Sequence, residues 1–231
     1  MRAGTKTADV VARAVATIAI VATIVWVLWF QKVALGYREF GVNGEQHVEA
    51  TTSLTAVVVS IFGVGFFCIL IRARRRVVGL QVAPLWCRYI ARVVDLWVFT
   101  FVFANLTTLV PLFVEERRTG SFRWHFERDY GTPSDWLMFL LILAGVAAMA
   151  AYFVLPLANG GHTIGCWIMR ISTVNLDGRV VALPLGIAFR WAYTEFTELF
   201  SPFSLWKIVR RRDVEQPASH DRENRLLVVR Y

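Results

Sequence analysis

Four long apolar stretches constrain this chain more than any other feature. They cover residues 10–30, 53–71, 85–113 and 136–157. A helix needs about 20 apolar residues to cross the hydrocarbon core of a bilayer. Because 56% of the residues are hydrophobic and only 18% are charged, lipid is expected to be the solvent for much of the chain. The sequence therefore predicts an all-α integral membrane protein with four transmembrane helices.

The charges between these stretches predict their orientation, because Lys and Arg concentrate in cytoplasmic loops. Residues 72–76 contain four arginines, and the tail from Lys207 onward contains seven Lys or Arg. In the loops 31–52 and 114–135, by contrast, acidic residues outnumber Lys and Arg by one. The pattern predicts a multi-pass protein of the plasma membrane with both termini in the cytoplasm.

A fifth apolar stretch, residues 183–206, does not fit another crossing. It contains Arg190, Glu195 and Glu198, and Ser201-Pro202 interrupts it. A fifth crossing would also place the basic tail outside the cell. We therefore expect a re-entrant or interfacial helical hairpin on the cytoplasmic side. Tryptophans near these segments, Trp167 and Trp191 among them, are expected to mark the interface.

The third stretch opens with charged side chains on one helix face. Arg88 and Arg92 precede Asp95 by seven and three residues, a spacing that predicts a shared face. One interpretation is an Arg92–Asp95 ion pair, with Arg88 extending toward lipid headgroups. The other makes Asp95 a cation or proton site, because ionisable groups within membranes are often functional.

The acids of the fifth stretch are expected to join this group. Glu195 and Glu198 share a helix face, and Arg88 and Arg92 enter from the same cytoplasmic side. The sequence predicts that Glu195 or Glu198 approaches one of these arginines and forms a charged cluster with Asp95. The candidate ligand or ion site consists of Arg88, Arg92, Asp95, Arg190, Glu195 and Glu198.

Two further motifs follow the fourth stretch. Residues 159–170 read NGGHTIGCWIMR, in which Gly160-Gly161 permits a sharp exit from the membrane and Thr163 suits a helix N-cap. Residues 171–181 alternate apolar and polar side chains around Asp177-Gly178, which favours a two-residue hairpin turn. The sequence therefore predicts a small cytoplasmic β-hairpin.

In this order, the motifs resemble those of the RDD family of membrane proteins. The matching positions are Arg88, Asp95, Gly161, Thr163, Gly165, Asp177, His220 and Asp221, followed by a hydrophobic strand near the end of the chain. Cys166 departs from the pattern, since a basic residue commonly follows the last glycine. The resemblance covers residues 84–231, an RDD-like membrane domain with a basic tail, and leaves residues 1–76 as an N-terminal two-helix extension.

The resemblance implies a bacterial membrane protein and a role in transport of unidentified ligands. A transport-related protein with a charged cluster in the cytoplasmic half of the helix bundle is therefore the first hypothesis. A non-catalytic accessory or scaffold subunit of a membrane complex is the second. Four spans are few for a complete carrier, so we expect a homo-oligomer or association with other membrane proteins.

Several chemistries lack support in the sequence. It contains no H-E-x-x-H, Walker A or dinucleotide fingerprint, and we expect no enzyme activity, cofactor or metal. The net charge of +8 comes from basic residues that flank apolar runs. This placement predicts contact with a bilayer containing anionic headgroups, and no binding of nucleic acid.

Overall fold

A computed structural model of the chain describes residues 3–30, 35–40, 45–72, 81–130, 135–175, 180, 182–201 and 226–230. Within these residues, helices dominate. They are α1 (Ala3–Phe30), α2 (Leu54–Arg72), α3 (Leu85–Thr119), α4 (Asp135–Asn159), α5 (Ile164–Ile168) and α6 (Leu185–Leu199). Four long helices thus occupy the positions of the four apolar stretches.

Six short strands form two antiparallel sheets in the described ranges. They are β1 (Leu35–Phe40), β2 (Glu45–Thr51), β3 (Gln81–Val82), β4 (His125–Tyr130), β5 (Ile171–Asn175) and β6 (Leu226–Arg230). Their orders are β1-β2-β4 and β3-β6-β5. The all-α prediction with one hairpin was therefore incomplete. The β2–β4 and β5–β6 pairs join segments far apart in sequence, and hairpin signals detect only neighbouring strands.

In the part of the chain that the structure describes, two helices, α2 and α3, are long and apolar enough to cross a membrane. Only 22% of the most apolar window of each helix is buried within the protein. A core helix of a soluble protein would bury most of that window, whereas Phe62 and Ile69 of α2 are 74% and 66% exposed. Lipid is the solvent that suits these side chains.

The helix α3 continues beyond its predicted end at residue 113. It reaches Thr119, whose hydroxyl donates to the Glu115 carbonyl at 2.9 Å. Gly120 then adopts a φ of 72° and its N–H donates to the Glu116 carbonyl at 2.8 Å, which ends the helix. The loop predicted over residues 114–135 therefore begins with helix and also contains β4.

The chain divides into two compact units. Unit 1 contains Met1–Ala16, Gly65–Val98 and Ala148–Tyr231, and unit 2 contains Thr17–Val64 and Phe99–Ala147. Unit 1 therefore holds the starts of α1 and α3, the ends of α2 and α4, and the sheet β3-β6-β5. Unit 2 holds the opposite ends and the sheet β1-β2-β4. The sequence-based division into residues 1–76 and 84–231 stays a prediction.

The core of unit 1 surrounds one face of α6. Trp191 is fully buried in a cluster with Ala83, Cys87, Ala91, Ile171 and Val228. Ala188, Trp191 and Glu195 follow helical spacing on this face, and all three are buried. Trp191 and Trp167, which is 4% exposed, are thus core residues. Both rings therefore pack inside the protein and not against lipid headgroups, because tertiary packing decides which helix face points inward. Their predicted depth at the membrane interface stays a prediction.

Two predictions from the second half of the chain fall partly outside the described residues. The fifth apolar stretch begins with the single helix α6, which ends before a turn at Phe200; residues 202–206 are not described. Val174 bridges Val180 in antiparallel fashion, but the predicted turn at Asp177-Gly178 lies outside the described residues. His220 and Asp221 lie outside them as well.

Candidate functional site

The first half of α3 supplies three buried charged residues to unit 1. The helix starts after Pro84, whose carbonyl accepts from the Cys87 N–H at 3.1 Å. The spacing of Arg88, Arg92 and Asp95 then places their side chains on the inward face. Their exposed fractions are 1%, 7% and 0%. Each charge therefore needs a partner inside the protein, because burial of an isolated charge is very costly.

Glu195 of α6 connects the two arginines. Its Oε1 accepts from Nε and Nη2 of Arg88, both at 3.3 Å, and its Oε2 accepts from Nη2 of Arg92. This geometry confirms the predicted approach of Glu195 to the arginines of α3. The other two candidates of this stretch differ from the buried Glu195, because Arg190 is exposed and Glu198 is half-buried.

Four donors surround the carboxylate of Asp95. Oδ1 accepts from the Tyr152 hydroxyl at 2.8 Å and from the Gly165 N–H at 2.6 Å. Oδ2 accepts from Nη1 of Arg92 at 3.1 Å and from the Thr163 hydroxyl at 2.7 Å. The predicted Arg92–Asp95 pair is thus present, whereas the predicted extension of Arg88 toward lipid headgroups was wrong, because Arg88 is buried against Glu195. Because a carboxylate has about four acceptor positions, the protein itself uses those of Asp95.

The glycine-rich segment brings Thr163 and Gly165 to Asp95. Gly160 has a φ of 68°, and the Gly161 N–H donates to the Pro156 carbonyl at 2.8 Å, which closes the end of α4. The predicted exit from the membrane at this point stays a prediction. Thr163 is the N-cap of α5 and accepts from the Cys166 N–H, as predicted. Its hydroxyl therefore serves both the cap and Asp95.

Close backbone approach explains the other two glycines of this segment. A Cβ at Gly161 would lie 2.1 Å from the carbonyl oxygen of Ile71. A Cβ at Gly165 would lie 2.0 Å from the carbonyl oxygen of Ala91, and 2.9 Å from Cγ of Asp95. Only glycine allows these backbones to meet, and the contact at Gly165 delivers its N–H to Asp95.

The sequence analysis missed two residues that contact the cluster, and it missed one further buried charge in unit 1. Tyr152 of α4 donates to Asp95 and stacks on Phe67 with ring centroids 4.4 Å apart. Phe153 lies under the Arg92 guanidinium at 5.4 Å. Arg13 of α1 is 6% exposed, pairs with Asp9 at 2.7 Å and lies over the Trp167 ring at 5.5 Å. A charge inside an apolar stretch was a usable signal for Arg13, whereas nothing in the sequence distinguished Tyr152.

A small cavity lies beside the cluster, with a volume of about 20 Å³. Its polar lining includes Arg92, Glu195, Thr163, Ser172, Thr173, His162 and Cys166. Desolvation raises the pKa of the Cys166 thiol to about 11, so this thiol is neutral at pH 7. Among the residues that the structure describes, no three His, Cys, Asp or Glu side chains are grouped to hold a metal.

The cluster is balanced in formal charge, since Arg88 and Arg92 face Asp95 and Glu195. A helix-dominated membrane protein with charged groups paired inside one unit is the class that the fold and this site define. The family model of the RDD family matches residues 82–212, which is more than half of the chain, and the protein belongs to this family. No curated protein and no solved structure matches the chain.

Proposed function

We propose that this RDD family protein is transport-related, and that the charged cluster of unit 1 lines a polar site used in transport. The observation that carries the proposal is the small polar cavity beside the Arg92–Glu195 pair. Glu195 borders the cavity and neutralises two arginines, so any change in its pairing would alter the charge of the lining. Asp95 has a supporting part, because its four donors hold it in place.

The proposal includes four crossings of the bacterial plasma membrane, with both termini in the cytoplasm. Support comes from unit 1, which gathers the starts of α1 and α3 and the ends of α2 and α4. Four successive helices that place a start and an end by turns in the same unit are compatible with four successive crossings of a membrane. Arg72, which ends α2 and opens the arginine-rich stretch, belongs to the same unit, as expected for a cytoplasmic side. The proposal contains no catalytic step.

Thiol labelling tests this topology. In a variant lacking the three native cysteines, a cysteine at Gln216 should not react with an impermeant maleimide applied to intact cells. A cysteine at Ser121, which is exposed in unit 2, should react and serves as the matched control. Efficient labelling at Gln216 would instead make residues 183–206 a true crossing.

Flux measurements test the transport role. Purified protein is reconstituted into liposomes that contain a pH-sensitive dye, and gradients of Na⁺, K⁺, Cl⁻ or H⁺ are applied in turn. We expect a flux above that of empty liposomes, lost in Glu195→Gln and kept in Glu198→Gln, with folding of both checked by size-exclusion chromatography. Light scattering on the same samples tests the expected homo-oligomer.

One observation favours a second candidate, the accessory or scaffold subunit. The cluster balances its own charges, and such a cluster also serves to fix α6 against α3 without any ligand. In that case all gradients leave the liposomes unchanged, and a stoichiometric membrane partner co-purifies in mild detergent. If the Glu195→Gln variant then fails to co-purify that partner, the charged cluster is needed for assembly of the complex.

A further inference from the structure

We infer that the cavity beside the Arg92–Glu195 pair binds one neutral hydrogen-bonding guest of the size of water, and that this guest is an ordered water molecule. The inference concerns the same cavity as the transport proposal, in the conformation where Glu195 pairs with both arginines. It does not require transport, which as proposed involves a change in that pairing, and its tests are unfolding and crystallographic density rather than flux. Three observations carry it: the volume of the cavity, a buried hydroxyl on its wall, and the charge balance of the neighbouring cluster.

The volume limits the guest to one small molecule. A cavity needs roughly 10–15 Å³ of accessible volume to hold one water, whereas sites for drug-sized ligands measure roughly 300–1,000 Å³. At about 20 Å³ this cavity has room for one water molecule and is far smaller than a site for a drug-sized ligand.

The hydroxyl of Ser172 supplies the second observation. Ser172 lies on β5, lines the cavity and is 3% exposed. Its Oγ has no hydrogen-bond partner among the residues that the structure describes. A buried hydroxyl without a partner is unfavourable, and water in a polar cavity commonly provides the missing bond. Glu195, Thr163 and Thr173 on the same lining offer further polar groups to such a water.

The charge balance decides against an ion. Two guanidinium groups and two carboxylates cancel, with Arg92 and Glu195 at the wall of the cavity. A bare cation or anion would add an uncompensated charge to a buried site, and burial of such a charge is costly. A neutral guest avoids this cost and still hydrogen-bonds to Ser172.

Two substitutions at Ser172 test the inference through thermal unfolding in mild detergent under reducing conditions. If water satisfies the hydroxyl, Ser172→Ala and Ser172→Cys should both lower the Tm, by about 2–4 °C. If the cavity is dry, removal of an unsatisfied hydroxyl should raise the Tm in Ser172→Cys, whose thiol is a much weaker hydrogen-bonding group and leaves no gap at this position. An unchanged or raised Tm in Ser172→Cys would overturn the inference, whatever the alanine variant does.

Density for the wild-type protein provides a second test that needs no variant. A structure at a resolution that shows water should contain a peak within about 3.5 Å of Ser172 Oγ. Clear density for the residues around the cavity, without a peak inside it, would overturn the inference. Crystals grown with Rb⁺ should show no anomalous peak there, and a strong peak would make the guest a cation and overturn its neutrality.

Discussion

The two units satisfy their buried polar groups in different ways. Among the residues of unit 2 whose burial the structure describes, the buried polar groups are neutral. Several bond within their own helix: Ser60 donates to the Ala56 carbonyl at 2.8 Å, and Thr108 to the Ala104 carbonyl at 2.7 Å. In unit 1, Arg88, Arg92 and Asp95 of α3 depend on Glu195, Thr163 and other groups far away in sequence. The bonds of Ser60 and Thr108 form within one helix, whereas Arg88 and Arg92 also need Glu195 from another element. Unit 1 should therefore be much more sensitive to single substitutions.

The largest effect is expected when Glu195 is removed. Glu195→Ala leaves Arg88 and Arg92 buried without their shared carboxylate, and breaking a buried ion pair costs about 3–5 kcal/mol. The free energy of unfolding is measured by SDS titration in mixed micelles. Glu198→Ala, at a half-buried position on the same helix, should cost much less, and Ser60→Ala in unit 2 should cost under about 1 kcal/mol. Equal losses at Glu195 and Ser60 would remove the contrast between the units.

A methyl group at Gly165 should have the next largest effect. Because its Cβ would lie 2.0 Å from the Ala91 carbonyl oxygen, the backbone must shift away from α3 and weaken the bond to Asp95. We expect Gly165→Ala to lower stability by about 3 kcal/mol in the same titration. Gly186→Ala on α6, where nothing lies within 4 Å of the added Cβ, should instead gain about 0.5–1 kcal/mol. A harmless Gly165→Ala would show that this close contact is not needed.

Coupling between Arg92 and Asp95 should be weaker but measurable. Asp95→Asn and Arg92→Gln each leave a partner charge buried, whereas the double variant removes both charges. The loss in the double variant should fall short of the summed single losses by about 1–3 kcal/mol. Additive losses would indicate that Thr163, Gly165 and Tyr152 hold Asp95 without any help from Arg92.

The smallest effect compares one hydrogen bond in each unit. Tyr152→Phe removes a donor to the Asp95 carboxylate, and Thr52→Val removes a donor to the Asn105 side-chain amide at 2.9 Å. Bonds to charged groups contribute about 1.5–3 kcal/mol, and neutral bonds about 0.5–1.5 kcal/mol. Tyr152→Phe should thus cost about 1 kcal/mol more than Thr52→Val, measured under identical detergent conditions. The reverse order would indicate that Asp95 is not charged in the folded protein.

Helical periodicity predicted much of the site. The spacing of Arg88, Arg92 and Asp95 placed them on one face, and the same reasoning brought Glu195 to the arginines. It did not separate Glu195 from Glu198, because both lie within one turn of the same face. The rotation of α6 that buries Glu195 depends on how Trp191 and Ala188 pack against the core of unit 1.

The sequence by itself determined the four apolar helices, the family and the chemistry of the cluster, because length, hydropathy and residue spacing are local properties. Only the tertiary structure decided which partners complete that cluster. Tyr152, 57 residues from Asp95, and the N–H of Gly165, 70 residues away, reach the carboxylate through packing between elements. The β5–β6 pairing, which brings Ser172 opposite Val229, has the same origin. Contacts of this kind are set by the close fit of backbones and side chains in three dimensions, which no local pattern in the sequence encodes.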